Sequence, residues 1–195
     1  MFLFLAFLGC KSEIDNNTAA TVKEPTKETI DDQSKNKTPP KGKPFSLASS
    51  SKVEWVGAKV TGDHTGGFKT VKGQVFVDEG KLNSLSAEID INSLFSDDER
   101  LTKHLLGDDF FSAPKFPTAI FSSTKIEKDT IHGVLDMRAI KKEISFPATV
   151  NVTAQGVDIK AKFKINRRDW SINYNGKAND LIKDEVLIKL DVQYK

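Results

Sequence analysis

Three histidines, one cysteine and one glycine-rich segment are the residues whose types invite chemistry. His64, His104 and His132 are far apart, and no pair has the spacing of metal ligands. We therefore expect hydrogen-bonded surface histidines and no metal. Gly62-Asp-His-Thr-Gly-Gly67-Phe-Lys-Thr70 approaches a phosphate-binding loop, but Phe68 stands where lysine should follow Gly67, and the next residues alternate as a strand. A glycine-rich turn between strands is the expectation there. No Gly-x-Ser-x-Gly elbow exists, and the carboxylates alternate outward instead of pairing as acid and base. The chain is expected to be no enzyme and to need no cofactor.

A subtler pair is Arg100 and His104. Four residues apart on a helix, they would share one face. There Arg100 could grip a phosphate through two parallel hydrogen bonds, with His104 donating another. The competing arrangement pairs Arg100 with Asp97 or Glu99. Their segment reads as the one short helix of the chain. Ser96 and Glu99 fit a capping box, Asp97 and Asp98 suit the positive end of the helix dipole, Leu101 and Leu105 share a face, and Gly107 offers a left-handed stop.

The rest of the folded region must be sheet. Leu85, Ala87, Ile89 and Ile91 alternate with polar residues, as do Val157, Ile159, Ala161, Phe163 and Ile165, then Val186, Ile188, Leu190, Val192 and Tyr194. Period two with one apolar face means strands wet on one side only. Eight such runs lie near 50–61, 67–77, 82–92, 117–127, 130–138, 142–153, 155–166 and 184–195. Short links such as Lys128-Asp129 and Gln155-Gly156 suit antiparallel hairpins. Eight antiparallel strands close into a barrel or split into a sandwich, with the helix between strands three and four. Pro147, inside the sixth run, removes a ladder donor and predicts a bulge or an edge.

Composition limits the partners. Across 195 residues, 29 Lys and Arg oppose 27 Asp and Glu. That lacks the basic footprint of a nucleic-acid binder. A single cysteine, Cys10, rules out an internal disulfide and thiolate clusters.

The chain opens MFLFLAFLGC, an apolar run too short to span a bilayer. It reads as the apolar part of an export signal, residues 1–10, and resembles the end of a bacterial lipoprotein signal in which Cys10 becomes lipidated. Residues 11–45 hold seven Lys, six acids and four Pro, with only Ile14, Val22, Ile30 and Phe45 as large apolar side chains. The expectation is a disordered tether. Residues 46–195 form the folded domain.

Four segments carry a resemblance to a known family: KVTGDHTGGF at 59–68, RLTKHLLGDDFFSAPKFPTAIFSST at 100–124, HGVLDMRAIKKEISFPATV at 132–150 and KFKINRRDWSINY at 162–174. They resemble the YceI-like proteins. Ala139 stands where that family usually has glycine, a departure that touches a turn. The resemblance implies an all-β, lipocalin-like barrel of the bacterial envelope that binds a polyisoprenoid without catalysis. Its ligand would be a long isoprenoid chain, a quinone-like lipid or a similar amphiphile, and Cys10 would tether it to a membrane. Phe68, Phe110, Phe111, Phe116, Phe121 and Trp170 would line or gate the lipid channel, with Arg100 and His104 at the polar end. The alternative is a structural or interaction barrel packed solid, with no ligand.

Overall fold

The structure, a computed structural model, describes residues 12–26, 40–177 and 180–195. Cys10 and the expected signal segment lie outside them. The strands in chain order are β1 (Thr21–Lys23), β2 (Lys43–Ser46), β3 (Lys52–Lys59), β4 (Gly62–Phe68), β5 (Val71–Asp78), β6 (Lys81–Asp90), β7 (Leu94–Ser96), β8 (Thr118–Glu127), β9 (Thr130–Met137), β10 (Ile140–Pro147), β11 (Thr149–Thr153), β12 (Gly156–Asn166), β13 (Gly176–Lys177) and β14 (Asp180–Tyr194). One helix, α1 (Glu99–Leu106), follows β7.

Strand pairing is antiparallel throughout the ladders, as the short hairpin links require. The hydrogen-bonded order does not close into the expected eight-stranded barrel. It runs through two sheets, β1-β10-β9-β8-β6-β5-β2 and β11-β12-β14-β3-β4-β7, with β13 paired to β14 off this path. Two of the additional strands, β11 and β4, have a plain cause. The run expected at 142–153 breaks at Pro147, whose ring removes a donor; β10 ends there, and β11 continues in the other sheet. The glycine-rich segment expected as a turn is itself strand β4. Its register sets Gly66 opposite Trp55 and His64 opposite Gly57.

Inward faces follow the period-two pattern. Val157, Ile159, Ala161, Phe163 and Ile165 on β12 are all buried in one core. At the β9–β10 turn Arg138 and Ala139 have φ of 53° and 59°. Two successive left-handed residues define a tight hairpin that favours glycine, so alanine here adopts the conformation glycine would take at less cost.

The expected tether is corrected for residues 12–26 and 40–45. Ile14, in a 3-10 turn at Glu13–Asn16, is 0% exposed and packs with Val56, Ala58 and Leu187. Those three lie on the outer face of β3 and β14, which alternation exposes unless something covers it. Glu13 and Asp15 then pair with Lys189 (2.6 Å) and Lys183 (2.7 Å), and the bond from Lys189 holds the Glu13 carboxyl below its usual range. Further on, the Ala20 N–H donates to the Lys164 carbonyl (2.8 Å) and the Lys164 N–H to the Thr18 carbonyl (2.9 Å), before β1 pairs with β10. Residues 18–23 thus bridge the edge of β12 to the edge of β10 and seal the seam between the sheets. At the other end Phe45 on β2 is buried opposite Val75. Within the described residues Ile14, Val22 and Phe45 sufficed because each meets a prepared site; the rest of the expected tether, 27–39, lies outside them.

Ile14→Ala should therefore destabilise the domain by about 2–4 kcal/mol, the scale for a buried aliphatic truncation, read by urea denaturation. A change within about 0.5 kcal/mol, the scale of a neutral surface substitution, would show that residues 12–26 add nothing to the fold.

Candidate functional site

Between the sheets lies a cavity of about 460 Å³. Its walls are inward residues of β3, β5, β6, β8, β9, β10, β12 and β14 with α1 and the loop after it. Burial along β14 is the reverse of a solid core. Leu187, facing outward, is completely buried under Ile14, while the inward Val186, Ile188 and Leu190 are only half-buried. They pack against the core on one side and border the cavity on the other.

Aromatic rings lie flat against glycines to leave that space. An added Cβ at Gly66 would stand 2.4 Å from the Trp55 ring and 2.1 Å from the Phe95 carbonyl oxygen; one at Gly133 would stand 2.4 Å from Phe121. The closed end is filled by stacked Phe146 and Phe163 (4.1 Å between centroids), Phe121 against Phe146 (5.7 Å) and buried Tyr194. Burial pushes the Tyr194 phenol far above its ordinary range, so it stays neutral.

The opposite end is polar. Lys59, His64, His104, Arg167 and Lys183 all contribute to the lining there. Arg167 is 4% exposed and well bonded: its Nη1 donates to the Ile172 carbonyl (2.6 Å), Nη2 to Asp184 Oδ1 (2.9 Å) and Nε to the Lys183 carbonyl (3.2 Å). Desolvation lowers its pKa, opposed by Asp184.

Of the residues expected to face a ligand, Phe68, Phe110, Phe111, Phe121 and His104 line this cavity. Phe116, Trp170 and Arg100 do not. The Phe116 ring lies under the Arg138 guanidinium (5.7 Å), and Trp170 is wholly buried with its Nε1 donating to the Leu135 carbonyl (3.3 Å). Arg100 is exposed on α1, so it and His104 do not form a joint polar grip. His104 instead sits edge-on to Phe110 (5.0 Å) and Tyr174 (4.8 Å), with Nε2 3.0 Å from Asp109. The helix begins two residues later than expected. Asp98, not Ser96, is its N-cap, accepting from the Arg100 and Leu101 N–H groups (2.8 and 2.9 Å), which holds the Asp98 carboxyl below its usual range. Gly107 is extended, not left-handed. The last helical carbonyls are met instead by the aromatic loop: the Phe111 N–H donates to Leu105 and the Ala113 N–H to Leu106. That fixes Phe110 and Phe111 across the cavity.

Arg167, Lys59 and Tyr174 were not anticipated. Arg167 sits in the quoted KFKINRRDWSINY segment, but at the end of a strand run, where period two no longer reports direction. The histidines each meet one carboxylate, His64 with Asp97 (3.0 Å) and His132 with Glu127 (3.1 Å). Among the described residues no three His, Cys, Asp or Glu gather as a metal site.

Facing antiparallel sheets around an apolar cavity with one polar end define an all-β protein with one short α-helix among the described residues. Residues 46–194 match the YceI-like domain, and the chain belongs to that family. A UPF0312 protein of Enterobacter sp. (strain 638) is 30% identical over 121 residues, covering 55% of this chain; the chain spans 62% of that relative's length. A UPF0312 protein of Pseudomonas putida is 25% identical over 139 residues, 64% of this chain and 71% of its own. Among solved structures, BcnA of Burkholderia cenocepacia superposes with a TM-score of 0.67 at 24% identity, covering 74% of this chain and 96% of its own. A polyisoprenoid-binding domain of Saccharophagus degradans superposes with a TM-score of 0.64 at 16% identity, over 77% and 97%. These likenesses establish the fold.

Gly66→Ala should force the Trp55 ring off its seat, destabilising the domain by about 1–3 kcal/mol, the scale of an overpacked core, and shifting Trp55 fluorescence. Unchanged fluorescence and stability would mean the ring does not need that glycine.

Proposed function

We propose that this chain binds, stores or transports a long-chain amphiphilic lipid, of isoprenoid or similar type, inside the cavity, without catalysis. The observation that carries this reading is the half-burial of Val186, Ile188 and Leu190, which face inward beside a fully buried outward Leu187. A solid core, the alternative, would bury them. The cavity volume falls within the range of about 300–1,000 Å³ common to small-molecule pockets. Each methylene taken from water contributes about 0.8 kcal/mol, so a few prenyl units bind tightly without a directional contact. The family membership and the solved Saccharophagus domain, named for polyisoprenoid binding, point the same way.

Filling the void separates the readings. Ile188→Phe should abolish retention of a co-purified lipid, seen by mass spectrometry of organic extracts, while leaving thermal stability unchanged. In a packed core the same change costs about 1–3 kcal/mol. A destabilised variant together with lipid-free extracts of the unaltered protein would favour the solid core.

The same proposal sets the protein in the bacterial envelope, anchored through lipidated Cys10 and facing the periplasm or cell surface. Its support is the MFLFLAFLGC sequence. Stable anchoring needs more than one acyl chain or a second membrane signal. Expressed from a precursor with a complete export signal, Cys10→Ser should release the protein from the membrane fraction. Undiminished partitioning would exclude a lipid on Cys10.

A further inference from the structure

The polar end of the cavity carries two exposed apolar side chains that its own packing does not use. Val60 is 72% and Leu181 52% exposed, and the Val60 N–H donates to the Leu181 carbonyl (3.1 Å), so the two stand side by side. Their chain neighbours Lys59 and Ile182 are register partners and both line the cavity. The apolar pair therefore stands at the rim of the cavity's polar end.

The N-terminal segment arrives at the same place. Ser12 Oγ donates to Asp63 Oδ2 (2.8 Å), three residues from Val60. Cys10 precedes Ser12 by two residues, at most about 7 Å of extended backbone, and the apolar run ends at Gly9. A membrane-inserted N-terminus would thus leave no slack.

We propose that this rim is a membrane-docking surface: Val60 and Leu181 enter the acyl boundary of a bilayer, and the cavity opens directly onto the lipid from which it loads. The occupant is a lipid surface because Cys10, the expected site of acylation, precedes Ser12 at this rim by only two residues, and because the aliphatic stems of Lys59 and Lys183 border the same end of the cavity. The closed end lies away from it. Thr149, Lys160, Asp191 and Lys52 stand in register across the sheet, and the Ala148 N–H donates to the Asp129 carbonyl (3.1 Å). The turn at Lys128-Asp129 is therefore beyond the opposite end of β3. This deepens the lipid-carrier reading by naming where loading occurs.

The test uses the full chain with Cys10→Ser, leaving single cysteines introduced as Val60→Cys or Lys128→Cys for an environment-sensitive fluorophore. With vesicles of phosphatidylcholine and phosphatidylglycerol, the label at 60 should shift to the blue and be quenched by brominated acyl chains. The label at 128 should stay aqueous. An aqueous label at 60, or equal quenching at both positions, overturns the proposal. A second measurement uses the unlabelled Val60→Asp, Leu181→Asp double variant, whose changes are on the surface. Uptake of a dansyl-labelled prenyl lipid from vesicles should slow about tenfold, the scale of removing two partly inserted side chains, while uptake from detergent is unchanged. Equal slowing from both sources, or none, counts against docking. Absence of uptake from either source, with the label at 60 still quenched, refutes lipid carriage and leaves the docking surface standing.

Discussion

A space between two sheets has to be held open, and most of the structure follows from that. If the roughly 460 Å³ were sealed and empty, at about 24 cal/mol per Å³ it would cost about 11 kcal/mol, comparable with the whole stability of a domain. Such a space survives only where the walls cannot collapse into it, and an apolar guest of the proposed kind would offset its cost. Its apolar walls offer no partners to ordered water, which needs two or more; only the polar end supplies them.

The walls resist collapse in three ways. Large rings are drawn back against backbone, Trp55 over Gly66 and Phe121 over Gly133, so that bulk lines the space without crossing it. The closed end is wedged by the stack of Phe146 on Phe163. The seam between β10 and β12 is bridged by residues 18–23, which lie before the stretch matched by the family. Because Ile14 covers Leu187 from outside, β14 is supported on the face opposite the void. A strand hydrated on that side would have only its edge hydrogen bonds to keep it straight.

How legible this was depended on whether one residue type settled each position. The alternating runs of β6, β12 and β14 were plain, because every second side chain is aliphatic or aromatic, and with them most of the cavity wall. Strand β4 was not, since glycines at 62, 66 and 67 carry no face, and of these Gly66 admits the Trp55 ring. Ile14 was not, because its partners Val56, Ala58 and Leu187 lie on the face that alternation assigns to water. Ser96 and Asp98 both satisfy a helix-cap pattern, and only the fold chooses: Ser96 is already committed to β7, opposite Gly66. Arg100 has the chemistry for an anionic headgroup, yet it sits outside, whereas Arg167 lines the opening from a strand end.

The division of polarity along the cavity assigns its parts different work. Apolar burial is strong but non-directional, so the walls set affinity by how much chain they enclose and discriminate poorly among chains of similar girth. Discrimination needs polar groups whose partners are lost in the wrong ligand. Those are confined to one end, where His104 is fixed by Asp109, Phe110 and Tyr174 and Arg167 by Asp184 and two carbonyls. On the proposed reading, the groups that would contact a headgroup are thus ones whose geometry the fold holds firmly, and substitutions along the walls would change how tightly a chain is held before they change which one.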